Sequence, residues 1–168
     1  TKEFRMMPHN SPAGADLYNY AEILMKRNSK SGNTKGILNM ITEPNEDGSV
    51  ISEIEFKNFF CQLVAAGNDT TRYSIAAGIH ALCHQPELLS QMQKDPKVWD
   101  TAPDEIIRWA SPVNYFRRTA TEDYDIRNKT IKAGDKVLYW FASSNRDNLA
   151  FSNPFRLDLY RKPNKHQA

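Results

Sequence analysis

Ala65-Ala66-Gly67-Asn68-Asp69-Thr70-Thr71-Arg72 is the stretch on which the reading of this sequence turns. It stands inside a run that otherwise reads as one long helix. Ser52-Glu53-Ile54-Glu55 opens that run as a capping box, in which a hydroxyl and a carboxylate satisfy each other's orphan backbone donors. No proline interrupts the chain from there to about Cys83, and Phe59 to Ala66 is apolar on nearly every face except Gln62. A helix of that kind is expected to lie buried among other helices. Gly, Asn, Asp and Thr are poor helix formers, and Gly alone costs about 1 kcal/mol relative to Ala. Five such residues in succession break the local rule, and such breaks belong at functional sites. Gly67 lets a large flat body approach the backbone. Asp69 beside Thr70 is equipment for delivering a proton to a bound group. The competing reading is an exposed Asp69–Arg72 ion pair, worth a few tenths of a kcal/mol.

Working outward, Leu17, Tyr20, Ala21, Leu24 and Met25 fall at helical spacing after Asp16, ending near the polar run from Asn28 to Asn33. Ile37 to Ile41 predicts a short helix, and Thr42 to Ser49 a loop. Pro86 starts a further helix that Asp95-Pro96 ends. Thr101 caps another, with Pro103 in its first turn, and Ser111-Pro112 closes it. Beyond Pro112 the period changes. Val113–Thr119, Tyr124–Ile126, Thr130–Ile131 and Lys136–Trp140 read as short strands, with turns at Asn128-Lys129 and Ala133-Gly134-Asp135. The predicted class is α+β and mainly helical, a single partial domain. Residues 1–112 form its helical part, 113–140 a small β region and 141–168 an irregular segment.

The 168 residues amount to about one domain. Seven glycines and nine prolines are too few for a linker or low-complexity segment. A net charge of +2 supplies no bulk field for nucleic acid. The longest apolar stretch, Phe59 to Gly67, falls far short of the roughly 20 residues that span a bilayer. Thr1 to Arg5 leads into no apolar run, so neither a signal peptide nor a membrane anchor is expected. Cys61 and Cys83 sit in no paired metal motif, which suits a reducing cytoplasm. The chain begins at Thr and stops at Gln167-Ala168 with no closing element, the look of a fragment.

Three further groups of residues could carry chemistry. Glu105 and Arg108 share a helix face flanked by Ile106, Ile107 and Trp109, and a buried pair of that kind requires a third partner. His80, Cys83 and His84 have zinc-like spacing, against which His84 can simply serve the carbonyls at a helix end. Arg117 and Arg118 are strand neighbours, so one can point inward to bind a carboxylate.

In order and spacing these pieces resemble the carboxy-terminal half of cytochrome P-450, the haem-thiolate monooxygenases. Ala66-Gly67-Asn68-Asp69-Thr70-Thr71 is similar to the family's central-helix motif, and Glu105-Ile106-Ile107-Arg108 to its Glu-x-x-Arg helix. Arg118-Thr119-Ala120 resembles the strand whose arginine binds a haem propionate. Asn145-Arg146-Asp147, with Phe151 and Pro154-Phe155, resembles the stretch leading to the haem loop. The likeness runs from about residue 36 to the end.

The resemblance implies a haem-dependent enzyme that inserts one oxygen atom of O2 into a small lipophilic substrate. Its electrons come from a donor protein such as a ferredoxin. Asp69 and Thr70 would relay protons; Ala66, Gly67 and Arg118 would contact haem; Val113, Tyr115 and Phe116 would face substrate. Glu105, Arg108 and Arg161 would form a structural triad. The wording of Arg108–Val113 looks most like bacterial members acting on sterol or terpenoid side chains. The family's loop Phe-Gly-x-Gly-x-His-x-Cys is expected directly after Ala168. Without it the chain holds no iron ligand, since Cys61 and Cys83 lie outside that context, and it is expected to be inactive alone. The rival readings are a non-catalytic helical interaction module and a small metal-binding protein using His80, Cys83 and His84.

Overall fold

The computed structural model describes residues 12–31 and 36–168, so the readings of Thr1–Arg5 and of residues 32–33 lie outside the described residues. The chain divides into two units, Thr1–Asn68 and Asp69–Ala168.

The first unit holds α1 (Pro12–Ser31), α2 (Ile37–Met40) and the first half of α3 (Glu53–His84). Pro12 starts α1 four residues ahead of the expected Asp16, as suits a residue whose φ is already helical. The capping box forms as read: the Ser52 amide donates to Glu55 Oε2 at 2.9 Å, and the Glu55 amide to Ser52 Oγ at 3.3 Å. Phe56 and Phe60 are buried with Ala21, and Leu17, Leu24, Met25, Leu38 and Val64 pack around them. Lys57 ties the helices together, donating to Glu22 at 2.9 Å and to Glu53 at 2.5 Å.

The expected all-round burial of Phe59–Ala66 does not occur. Phe60 is buried there, but Phe59, Ala65 and Ala66 are exposed. Phe56, Phe60 and Val64 recur every four residues, so one stripe of α3 meets the core of this unit and its other faces stay open.

The second unit begins with the remainder of α3. It continues through α4 (Pro86–Lys94), a 3₁₀ turn (Pro96–Asp100) and α5 (Ala102–Ala110). Its core is Ala81, Leu88, Met92, Val98, Ala102, Leu157 and Leu159, with Leu82 and Trp109 against it. The irregular tail thus supplies two core leucines, each worth roughly 1.5–3 kcal/mol of burial. Thr101 stands at the start of α5 without capping it by its side chain. Its hydroxyl donates to the Leu159 carbonyl at 2.6 Å, pinning the tail to the helix. Asp95 caps the 3₁₀ turn, accepting from the Lys97 amide at 3.0 Å. Ser111 ends α5 in the left-handed region, at φ 45.

Four short strands follow: β1 (Tyr115–Thr119), β2 (Tyr124–Ile126), β3 (Lys129–Ile131) and β4 (Lys136–Trp140). β1 pairs antiparallel with β4, Tyr115 facing Trp140 and Thr119 facing Lys136. β2 and β3 form a hairpin turned at Arg127, whose φ is 54. Gly134, at φ 90, makes the tight turn into β4. α6 (Phe141–Ser144) leads to the tail. Every residue of β1 is exposed, so neither Arg117 nor Arg118 points into an interior. Side chains on both faces of β1 are exposed. No helix among the described residues is long and apolar enough to cross a membrane.

Candidate functional site

α3 runs unbroken through Gly67-Asn68-Asp69-Thr70-Thr71. Weak propensity is overridden in a 32-residue helix whose two halves each pack on a core. A Cβ added at Gly67 would meet nothing within 4 Å, so the helix presents open space there. Asp69 is 80% exposed at its side chain and accepts from Arg72 at 2.5 Å, so the ion pair of the competing reading exists. A pair this exposed contributes little to stability.

One turn of helix later the surroundings change. Thr70 lines an open apolar hollow of about 580 Å³. Ile75, Gly78 and Ile79 of α3, Ile106 and Ile107 of α5, Val113 and Ala168 also line it. The hollow owes its shape to Gly78: a Cβ there would come within 2.9 Å of Ile106 Cγ2, so only glycine admits α5 this closely without a shift. Thr70 also borders a second hollow, of about 490 Å³, with Asp69, Tyr73, Ser111 and Asn114. Thr70 therefore borders both an apolar chamber and a mixed one that Asp69 also lines. Such an arrangement can pass a proton from the side of Asp69 to a group bound on the apolar side.

Behind α5 lies a fully buried charge cluster. Glu105 and Arg108 are both 0% exposed, and Arg161 is 6% exposed. Glu105 accepts from Arg108 Nε at 2.7 Å and Nη2 at 2.8 Å, and from Arg161 Nε at 2.9 Å. The Asp158 amide at 2.9 Å and Asn164 Nδ2 at 3.1 Å complete its shell. Burial by itself would push the Glu105 carboxyl up. The bonds from Arg108, the Asp158 amide and Arg161 outweigh burial and hold it below the usual carboxylate value.

Of the remaining expected residues, the fold brings Val113 to the hollow with Thr70. It does not bring Tyr115, Phe116 or Arg118 there. Tyr115 stacks on Trp140, with ring centres 4.9 Å apart, and Phe116 meets Phe141 edge-on at 5.5 Å. Arg118 lies over the Phe116 ring at 5.4 Å and donates to the Arg117 carbonyl at 3.0 Å. The metal reading of His80, Cys83 and His84 fails: among the described residues no three ligand side chains are placed to hold an ion. His84 Nδ1 instead meets the His80 carbonyl at 2.9 Å, serving the helix end.

Sequence reasoning missed Asn145. It is 0% exposed and bonds to Ser111 Oγ at 3.0 Å and to both backbone groups of Gln167. An asparagine in an irregular stretch carries no periodic signal of burial, so only its place in Asn145-Arg146-Asp147 marked it.

A family model described as Cytochrome P450 matches residues 17–166. The methyl-branched lipid omega-hydroxylase of Mycobacterium tuberculosis is 40% identical over 153 residues, 90% of this chain and 36% of that protein. The steroid C26-monooxygenase of the same organism is 36% identical over 154 residues, 92% of this chain and 35% of that protein. Among solved structures, CYP109E1 from Bacillus megaterium in complex with corticosterone superposes with a TM-score of 0.85 at 27% identity, covering 92% of this chain and 41% of that one. Mycobacterium marinum cytochrome P450 CYP268A2 in complex with pseudoionone gives 0.80 at 36% identity, over 92% and 37%. The chain spans little more than a third of the length of the curated relatives it matches.

Proposed function

Since the chain belongs to the cytochrome P450 family, we propose that it is part of a haem-dependent monooxygenase that inserts one atom of O2 into a lipophilic substrate of the sterol or terpenoid class. The observation that carries this reading is Thr70, set in the wall of an apolar hollow and bordering a second hollow that Asp69 also lines. The names of the relatives, a steroid monooxygenase and a lipid hydroxylase, support the substrate class.

The residues present fit the walls of a haem site. The helix face open at Gly67 admits the approach of a flat ring. Arg118 is an exposed guanidinium suited to a propionate. No thiol stands among the residues that line the hollow. Cys83 is exposed at the last turn of α3, and burial pushes the Cys61 thiol up, away from the thiolate that iron requires. Haem iron, when bound, supplies the activation of dioxygen.

This chain's own residues orient, exclude water and handle protons. Ala66 and Gly67 allow close approach along α3. Asp69 and the Thr70 hydroxyl would relay protons between the two hollows that Thr70 borders. Val113 bears on substrate, with Tyr115 and Phe116 on the strand that follows it. Arg118 would hold a propionate, and Glu105, Arg108 and Arg161 fix the fold behind the hollow. Electrons would come from a donor protein such as a ferredoxin.

The test is spectroscopic. The full reading frame that contains these residues is expressed with haem available, reduced, and exposed to carbon monoxide. A thiolate-ligated absorption band is expected, while the 168 residues alone should give none. A full product that takes up no haem refutes the reading.

A further inference from the structure

Ala168 stands in the wall of the hollow that Thr70 lines, and what holds it there is not a regular element, because residues 145–168 contain no helix or strand. The residue before it, Gln167, is exposed, yet both of its backbone polar groups are taken. Its amide donates to Asn145 Oδ1 at 2.7 Å, and its carbonyl accepts from Asn145 Nδ2 at 2.8 Å. The buried carboxamide thus treats Gln167 as one strand residue treats another, exchanging both bonds. Only an amide side chain offers a donor and an acceptor in this spacing.

Asn145 is itself fixed. Its Nδ2 also meets Ser111 Oγ at 3.0 Å, and its carbonyl accepts from Arg108 Nη1 at 2.7 Å. Three residues before Gln167, Asn164 Nδ2 holds Glu105 at 3.1 Å. The segment 164–167 is therefore gripped at two points, and both grips lead back to Arg108.

We propose that Asn145 is a positioning residue: its two-point hold on Gln167 sets where Ala168 stands in the wall of the hollow, and so shapes the chamber that receives the apolar ligand. The ligand class rests on the function proposed above; the hold on Gln167 does not. Asn145 acts through Gln167 and touches no reacting group.

Amide hydrogen exchange of the full chain tests the hold. An exposed residue has no other reason for a protected amide, so the Gln167 N–H of the wild type should exchange slowly. Asn145→Leu keeps the volume and removes both bonds, and should speed that exchange at least tenfold. The Asp158 amide, held by Glu105, should stay protected in both, which reports that the fold survives. Leu149→Ala, at an exposed tail position outside these bonds, should leave Gln167 slow. A fast Gln167 amide in the wild type, or one indifferent to Asn145→Leu, overturns the proposal, the first even if the variant fails to fold.

Binding of the fluorescent sterol dehydroergosterol, read by energy transfer from tryptophan, tests the consequence. Asn145→Leu should weaken binding at least fivefold and Leu149→Ala should not. Equal affinity of wild type and Asn145→Leu overturns the positioning role. Failure of the wild type to bind the sterol removes the ligand class, and the exchange result then decides the proposal by itself.

Discussion

Glu105→Gln changes one buried atom and little volume, so its consequence can be worked from contacts. The carboxylate accepts five hydrogen bonds: two from Arg108, and one each from Arg161, the Asp158 amide and Asn164. A glutamine in the same place keeps one acceptor oxygen and turns an NH2 toward donors. Two guanidiniums then lie buried without a countercharge. Breaking a buried pair by removing one partner costs roughly 3–5 kcal/mol, at least about a fifth of the roughly 5–15 kcal/mol that a domain of this kind has. Urea unfolding followed by the fluorescence of Trp109, which packs against the same core, measures it. The pH dependence adds a signature. Because Glu105 sits below its unfolded value of 4.5, its contribution is complete above that pH and disappears as pH falls through the folded value. The wild type should therefore lose stability in acid by a component that Glu105→Gln lacks. A variant weakened by less than about 1 kcal/mol, with the wild-type acid dependence, would show that the cluster is not what holds this unit together.

Four further outcomes follow from the same contacts. Asp69→Asn should leave the midpoint of thermal unfolding nearly unchanged, within the about 0.5 kcal/mol of an exposed pair, while oxygen uptake by the full enzyme loses its coupling to product; coupling equal to wild type would refute the proton role. Thr70→Ala should likewise consume oxygen without proportionate product, measured as the ratio of substrate hydroxylated to oxygen consumed. Gly78→Val should destabilise by about 1–3 kcal/mol as its side chain meets Ile106, and Ile106→Ala in the same chain should recover part of the loss in a double-mutant cycle. Ser52→Ala should cost about 1 kcal/mol through the lost capping bond to the Glu55 amide, read by urea unfolding.

The elements legible in the sequence are those specified by neighbours. The capping box, Pro86 and the change of period after Pro112 set the ends of α3, the start of α4 and the onset of the strands, because each signal acts within a few residues. The pairing of Glu105 with Arg108 is likewise an i, i+3 relation on one helix. Arg161 lies 56 residues from Glu105, and only the family resemblance brought it in. Nothing local could have found Thr101 on Leu159, 58 residues away, or Asn145 on Gln167. Both depend on the path of a tail without periodicity. The inward arginine of β1 misled for a related reason: alternation gives a strand two faces, but what covers a face is decided elsewhere in the fold.

The charge cluster is best understood through that tail. Exchanging a buried ion pair for apolar residues is often neutral or stabilising elsewhere, and by charge alone the same should hold here. The guanidiniums, however, do more than neutralise Glu105. Arg108 donates to the carbonyls of Asn145, Pro154 and Arg156, and Arg161 to those of Ser152, Asn153 and Arg156. These carbonyls belong to backbone without helix or strand partners of its own. An apolar replacement would leave the carbonyls of buried Asn145 and Pro154 without these donors, at about 1–3 kcal/mol each where water cannot reach. Glu105→Leu with Arg108→Met and Arg161→Met should therefore destabilise rather than stabilise. If that triple variant unfolds at the wild-type urea midpoint, the carbonyls of the tail find other donors, and the arginines are there for charge alone.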